Sequence, residues 1–308
     1  RCGIIYIYFD YQSYVFVNVI KRKGREGIMA ERLKVYKHAP GSFILRLLVS
    51  LSAVVTVLVL IYIIAYILIH GIPYLSPDFF SLQYTSDNCS VVPSIINTLI
   101  MSVLSLCIVI PFGIGSAVYL AEYAKSGSRL VKIISLTAET LSGIPSIVYG
   151  LFGMLFFVET LKLGNSMLSG AFTLSIMILP VVLRTTEEAL KAIPQSYREG
   201  SFGLGAGKLR TIFRIVIPAA MPGILAGIIL AIGRVVSETA ALLYTSGTVA
   251  KVPENLMRSG RTIAVHMYTL SSEGMHINQA YAAAVVLLAL VFLINVFSSA
   301  VAKKISKV

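Results

Sequence analysis

The chain has no tryptophan, few charged residues and few cysteines, and each of these shortages excludes some classes of protein. Only 13% of its 308 residues are charged, whereas a water-soluble domain has about 25%. The three cysteines and the histidines are scattered, without the close spacing of metal ligands. We therefore predict a protein without a metal site. Without tryptophan, the sixteen tyrosines must supply most of any aromatic belt at a membrane surface.

Hydrophobic residues make up 56% of the chain, and the mean hydropathy is +0.84. A helix needs about 20 apolar residues to cross a hydrocarbon core of ~30 Å. The apolar runs predict an all-α integral membrane protein with about six spanning helices. The predicted spans are Ile44 to Ile69, Ile95 to Leu120, Ile133 to Val158 with an interruption at 142–146, Leu168 to Leu183, Ile215 to Leu243, and Ala280 to Val301.

The net charge of +12 does not indicate nucleic acid, because the basic residues cluster at segment ends and in alternate loops. Lysines and arginines are frequent in the tail 29–46, the loop after the second span, the loop 184–214 and the C-terminal tail. The opposite side has only Lys162, Lys251, Arg258 and Arg261. The positive-inside rule then predicts that both termini are cytoplasmic.

The organisation of the chain follows from these spans. Residues 1–28 contain no methionine, and we hypothesise that they are a non-native extension and that translation starts at Met29. Residues 29–43 are then a cytoplasmic tail, and 44–308 a transmembrane domain. The external segment 245–278 is long for an unstructured loop. Its apolar stretches are too short to span, so they lie at the membrane interface, re-enter the bundle or meet an external partner.

The cytoplasmic loop 184–214 predicts a helix, a glycine turn and a second helix. Ser196 and Glu199 match a capping box, in which both side chains cap the first turn of a helix. Gly205 lies in a glycine-rich turn, since glycine accepts positive φ at little cost. A second helix is expected from Leu209 into the fifth span. Such a loop is a stiff lever rather than a flexible connector.

ATP hydrolysis by this chain is not expected. Gly207 and Lys208 resemble the end of a phosphate-binding P-loop, but Phe202 stands where the first glycine is needed and Leu209 where Ser or Thr is needed. We therefore predict no cofactor and no enzymatic activity, with ATP bound by another subunit.

Charged residues inside the predicted membrane spans are the candidates for function. An ionised side chain there costs roughly 2.5–3.5 kcal/mol on insertion scales and usually faces water or the bundle interior. Arg234 and Glu238 are four residues apart, so a continuous helix would place them on one face. The alternative is an internal ion pair that only tethers the helix.

Arg184, at the predicted end of the fourth span, adds a second guanidinium. Together with Arg234 and the hydroxyls of Ser237 and Thr239, it suits an oxyanion, because guanidinium groups bind phosphate-like oxygens bidentately. Glu238 either holds Arg234 in place or accepts a proton from a protonated phosphate. Arg184 taken alone is equally well explained as an anchor at the cytoplasmic interface.

Several motifs resemble one family. The loop reads Glu199-Gly200-Ser201, three residues, Gly205, nine residues and 215–218 ending in Pro218, which resembles the EAA loop of ABC-transporter permeases. Residues 142–150, 179–188 and 233–243 are similar to the PstA-type permeases of phosphate ABC importers. In that family the last motif usually reads Gly-Glu-Thr-Ala-Pro, whereas here Ser237 and Ala241 occupy two of its positions.

The resemblance implies a permease subunit in the plasma membrane of a prokaryote, forming half of a phosphate pathway. It implies a heterodimer with a PstC-type permease, two PstB-type ATPases docked on the cytoplasmic loops, and an external PstS-type phosphate-binding protein. Glu199, Gly200, Ser201, Gly205 and Pro218 would couple to the ATPase. Arg184, Arg234, Glu238, Ser237 and Thr239 would lie on the substrate path.

Two other functions stay open on the sequence. One is a permease for another oxyanion, such as sulfate, molybdate or tungstate. The other is a membrane enzyme acting on a lipid phosphate, which would also use arginines and acids. The chain lacks the aspartate-rich metal motif expected of such an enzyme, and the enzyme hypothesis leaves the EAA-like loop unexplained.

Overall fold

The structure, a computed structural model, describes residues 40–125 and 128–305. The predictions for residues 1–28 and for most of the tail 29–43 lie outside the described residues. The chain divides into a unit ending at Ala65 and a unit beginning at Tyr66, and each is described by itself.

The first helix, α1, runs from Pro40 to Gly71 and confirms the first predicted span. Its 32 residues correspond to about 48 Å at 1.5 Å per residue, enough to cross a membrane. The side chains from Ile44 to Ile64 are exposed and mostly aliphatic. A helix that is apolar on every side is suited to lipid rather than to water.

The second unit continues as a series of helices, and within the described residues no β-strand occurs. In chain order these helices are α2 (Val92–Val118), α3 (Arg129–Ser142), α4 (Ser146–Gly153), α5 (Met167–Lys191), α6 (Gln195–Gly203), α7 (Lys208–Thr211), α8 (Ile217–Val236), α9 (Ala240–Thr245), α10 (Ile263–Ser272) and α11 (Ile277–Ile305). Widened π-helical turns extend α2 over Tyr119–Tyr123, extend α4 over Met154–Thr160, and join α7 to α8 over Ile212–Val216.

The described residues contain five helices long and apolar enough to span a membrane, and a bent pair makes a sixth. The pair joins α3 to α4 with its π-helical extension at an angle of 102°. Pro145 adopts an extended backbone (ψ 141°) directly before α4, which breaks the helix where the sequence predicted. The prediction of about six spans in an all-α fold is confirmed.

Two predicted spans end in the wrong place. The fourth was expected to stop at Leu183, but α5 continues to Lys191 because its last two turns remain amphipathic and bury Thr186, Glu187 and Leu190. The fifth was expected to be continuous to Leu243, but α8 ends at Val236 and a new helix, α9, begins at Ala240.

α5 is the central helix of the second unit. In its most apolar window 67% of the residues are buried, against 33% for α2. Its buried residues, among them Leu174, Met177 and Ile178, pack against Met101 of α2 and Ala231 of α8. A second cluster around Ala220 and Ile224 of α8 includes Leu190 of α5 and Ala117 of α2.

Glycines allow the closest contacts between these helices. A Cβ atom on Gly150 of α4 would lie 2.9 Å from Cα of Ala241 in α9, and one on Gly227 of α8 would lie 2.0 Å from Oγ1 of Thr185 in α5. Small residues of this kind let helix backbones approach in a membrane, where lipid gives no hydrophobic reason to associate.

Hydroxyl groups buried in these helices mostly bond to their own backbone. In α2, Thr98, Ser102 and Ser105 each donate to the carbonyl four residues earlier, at 2.7–2.9 Å. Thr173 and Thr185 of α5 do the same at 2.8 Å. A hydroxyl bonded in this way has its donor satisfied without a neighbouring helix.

Candidate functional site

The break between α8 and α9 separates two residues that were predicted to share a helix face. Arg234 lies in the last turn of α8, while Glu238 lies in the non-helical link before α9. No ion pair joins them within the residues that the structure describes. Both the shared helix face and the tethering ion pair are therefore wrong, because the helix ends between the two residues.

Glu238 instead caps the start of α9. Its side chain accepts a hydrogen bond from the backbone N–H of Ala241 at 3.1 Å, and the residue is only 8% exposed. A carboxylate at this position satisfies one of the free N–H groups of the first helical turn. Glu238 thereby helps to hold α9 where Ala241 contacts Gly150 of α4.

Arg234 opens onto a cleft of about 540 Å³ between α8 and α11. The cleft is lined mainly by aliphatic residues, with Val181 of α5 and Asn295 of α11 beside the arginine. Across residues 40–125 and 128–305, the guanidinium of Arg234 has no hydrogen bond and no ion pair. An unpaired cation in a mainly aliphatic cleft is suited to a transient anion.

The two hydroxyls predicted beside Arg234 occupy different settings. Ser237 is exposed and donates to the carbonyl of Gly233 at 2.9 Å, which leaves its oxygen lone pairs free. Thr239 stands directly before α9, and its side chain makes no capping bond. Both residues lie in the link after Arg234, as the sequence motif requires.

Arg184 lies within α5, two turns before its end, and not at the end of a span as predicted. Its Nη2 atom is 3.3 Å from Oε2 of Glu139 and donates to the carbonyl of Ser135 at 3.1 Å, both in α3. The side chain of Arg184 keeps 34% of its surface exposed. No local motif pointed to this partner, since Glu139 is 45 positions away.

The two arginines lie on neighbouring helices at different depths. Thr185, next to Arg184, packs against Gly227 of α8. Gly227 precedes Arg234 by seven residues, or about 10 Å along the helix axis. Arg184 therefore lies nearer to α6 and Arg234 nearer to α9, so they form successive positions rather than one pocket.

The predicted helix, glycine turn and second helix are present as α6 and α7, with one correction. Gly205 has φ +80°, which confirms the glycine turn. The capping box is wrong: α6 begins at Gln195 after an extended Pro194, so Ser196 is already inside the helix and makes no capping bond. Pro194 fixes the chain direction at this helix start instead.

The residues of the EAA-like motif divide into an exposed and a buried set. Glu199, Gly200, Gly205 and Pro218 are exposed. Ser201 is buried, and its hydroxyl lies 2.8 Å from that of Thr211 in α7. Leu204, at the turn, is 91% exposed, an unusual setting for a leucine on a polar surface.

The segment 245–278 contains α10, whose first four residues are buried against α2 and α11. Arg261 is 4% exposed, and its guanidinium lies 4.5 Å from the ring centre of Tyr84. His266 is also buried. Burial, followed by the positive charge of Arg261, lowers the pKa of His266 to about 3. The segment is thus packed against the bundle at residues 263–266.

Comparison with known proteins agrees with this architecture. Residues 110–307 match the family described as "Binding-protein-dependent transport system inner membrane component". The chain is 34% identical over 241 residues to the "Probable ABC transporter permease protein YqgI" of Bacillus subtilis, covering 73% of this chain and 82% of that protein. It is 35% identical over 233 residues to the "Phosphate transport system permease protein PstA" of Pasteurella multocida, covering 74% and 82%.

A solved structure has the same fold. It is that of a bacterial alginate ABC transporter in complex with alginate pentasaccharide-bound periplasmic protein, with a TM-score of 0.65. The match covers 89% of this chain and 99% of the other at 17% identity.

Proposed function

Because this chain belongs to the family of binding-protein-dependent transport system inner membrane components, as a PstA-type permease subunit of an ABC importer, we propose that it carries inorganic phosphate. It forms half of a translocation pathway through the membrane. The observation that carries the proposal is Arg234, whose guanidinium is unpaired among the described residues and faces an open cleft inside a span. Relatives named as phosphate transport permeases support the choice of anion.

The depth of the two arginines gives the order of events. Phosphate released from an external binding protein meets Arg234 first, with the Ser237 and Thr239 hydroxyls beside it. It then moves toward Arg184 of α5, which lies about 10 Å closer to the cytoplasmic side when the distance is measured along the axis of α8. Neither position encloses the anion with several cations, so each would hold it weakly. Weak, successive sites favour release over retention.

The proposed assembly follows the family. The partners are a PstC-type permease, two PstB-type ATPases that bind the ATP, and a PstS-type phosphate-binding protein. The exposed residues Glu199, Gly200 and Gly205 and the turn with Leu204 offer the ATPase a surface. From the positive-inside rule we assign this surface and both termini to the cytoplasm, and the family supports the plasma membrane of a prokaryote as the location.

The function is tested by uptake of radioactive phosphate into vesicles that contain the complete transporter. Arg234→Gln is expected to abolish uptake while the complex still assembles, because it removes the one charge in the cleft. Arg129→Gln, which changes an exposed arginine at the start of α3, is the matched control. Normal uptake by Arg234→Gln would refute the role of this residue.

Competition identifies the anion. Excess unlabelled phosphate should suppress uptake, whereas sulfate, molybdate and tungstate should not. Suppression by one of those anions instead would assign the permease to that oxyanion. Purification gives a separate test, because consistent absence of an associated ATPase would favour an enzyme acting on a lipid phosphate.

A further inference from the structure

Arg198 of α6 occupies a junction that the motif comparison does not explain. Its Nε lies 3.1 and 3.3 Å from the two carboxylate oxygens of Glu122, and its Nη2 lies 2.5 Å from Oε1. Glu122 belongs to the π-helical end of α2. The two side chains are only 12% and 7% exposed, so the pair is shielded from water, unlike a surface ion pair.

The same guanidinium also fastens the end of α5. Nη1 donates to the carbonyl of Ile193 at 2.9 Å, and Nη2 donates to that of Leu190 at 3.1 Å. These are carbonyls at the C-terminus of a helix, where the backbone acceptors lack partners within the helix. One arginine therefore joins α6 to both α2 and α5, which requires the planar fork of donors that lysine does not have.

A second, independent bond joins α6 to α7, the short helix that leads into α8. The hydroxyls of Ser201 and Thr211 lie 2.8 Å apart, and Thr211 directly precedes the π-helical turn that leads into α8. α6 is thus attached to the ends of two spanning helices, α2 and α5, and through α7 to the start of a third. Glu122 lies in one π-helical turn and Thr211 directly precedes another, and this strained form of helix often marks a functional position.

We infer that Arg198, through Glu122, is the positioning residue that transmits movement of α6 to α2 and α5. The inference rests on the proposed function, in which the ATPase docks on α6 and α7. Glu199 and the exposed turn contact the partner, while Arg198 faces the opposite way and contacts the spanning helices. Movement of α6 then displaces α2 and α5 together. The buried pair stays intact during this movement, because water cannot replace its hydrogen bonds as it would at a surface contact.

The alternative is that the pair only stabilises the fold. The two roles differ in what a conservative change does. Arg198→Lys keeps the positive charge but loses most of the five bonds, and Glu122→Gln keeps an acceptor of the same shape but loses the charge. If the pair transmits movement, either change should lower the amount of phosphate carried per ATP hydrolysed. If it is only structural, hydrolysis, transport and the amount of assembled complex should fall together.

The experiment uses the complete transporter in proteoliposomes, with phosphate transport and ATP hydrolysis measured on the same sample. Arg198→Lys and Glu122→Gln are each expected to keep ATP hydrolysis within about two-fold of wild type and to lower phosphate carried per ATP at least five-fold. The double variant should be no worse than either single change, since both remove the same connection. Arg129→Lys, an exposed arginine outside α6 and α7, should leave the ratio unchanged.

Three results would overturn the inference: an unchanged ratio in both variants, additive losses in the double variant, or loss of assembly in both. Failure of Arg198→Lys alone to assemble leaves Glu122→Gln decisive, because that change leaves α6 intact. The wild-type protein tests the proposed function separately. If it transports a different oxyanion, the amount of that anion carried per ATP hydrolysed is measured instead. The inference on Arg198 is then tested independently of the proposed substrate.

Discussion

Arg184 and Glu139 form an ion pair across two helices, with 3.3 Å between Nη2 and Oε2. The cation predicted to bind the substrate therefore already has a carboxylate beside it, and an arriving anion must compete with that carboxylate. Both side chains are partly exposed, so the pair is weak enough for an anion to displace.

Removal of this competitor should strengthen substrate binding. Glu139→Gln is expected to lower the phosphate concentration for half-maximal uptake by roughly two- to five-fold, the range that an exposed ion pair allows. Arg184→Gln should raise that concentration. Uptake kinetics in vesicles measure both, and no change in either variant would leave Arg184 as an interfacial anchor.

Glu238 should act mainly as a cap. Glu238→Gln keeps an oxygen that can accept from the N–H of Ala241, so we expect it to retain at least half of the phosphate uptake. Glu238→Ala removes the cap and should lower the stability of the purified complex by about 1 kcal/mol. Thermal unfolding in detergent checks the second value. Loss of uptake in Glu238→Gln, with stability preserved, would show that the negative charge itself is needed.

The contact between α5 and α8 should not tolerate an added methyl group. Gly227→Ala places a Cβ atom 2.0 Å from Oγ1 of Thr185, and we expect a destabilisation of about 1–3 kcal/mol, as for other overpacked sites. Gly233→Ala is the control on the same helix, since its Cβ would meet no atom within 4 Å. Equal melting temperatures for the two variants would contradict the close approach.

Because burial lowers the pKa of His266, we expect the stability of the folded protein to depend on pH. Its pKa is about 3 in the folded protein, below the value of 6.5 for a free side chain. Below pH 6.5 the unfolded chain takes up a proton that the folded chain does not, so folding loses stability as the pH falls toward 3. From pH 7 to pH 5 this amounts to about 2 kcal/mol.

Melting temperatures at several pH values test that dependence. His266→Gln should remove it, so that the variant gains on the wild-type protein as the medium becomes acidic. His276→Gln, a partly exposed histidine outside α10, is the control. A constant difference between wild type and His266→Gln across this pH range would contradict the prediction.

Much of the fold was predictable from hydropathy, because spans such as 44–69 and 280–301 need only be long and apolar. The break after Val236 was not predictable. The residues from Ala231 to Leu243 include an apolar run that favours one helix, and the break depends on Glu238 turning to cap α9 and on Ala241 meeting Gly150, 91 positions earlier. The positions of Arg234 and Gly205 followed from local motifs. The pairs Arg184–Glu139 and Arg198–Glu122 link residues 45 and 76 positions apart, which no local pattern encodes.

The buried hydroxyls of α2 and α5 have a mechanical consequence. Because Ser102 and Ser105 donate to carbonyls of their own helix, these hydrogen bonds survive when the helix shifts along its neighbours, whereas Thr98 also accepts one from the backbone N–H of Ile263 in α10. The resistance to such sliding is then set by side-chain shape rather than by bond breaking. Sliding along the part of α2 that carries Ser102 and Ser105 therefore breaks few hydrogen bonds.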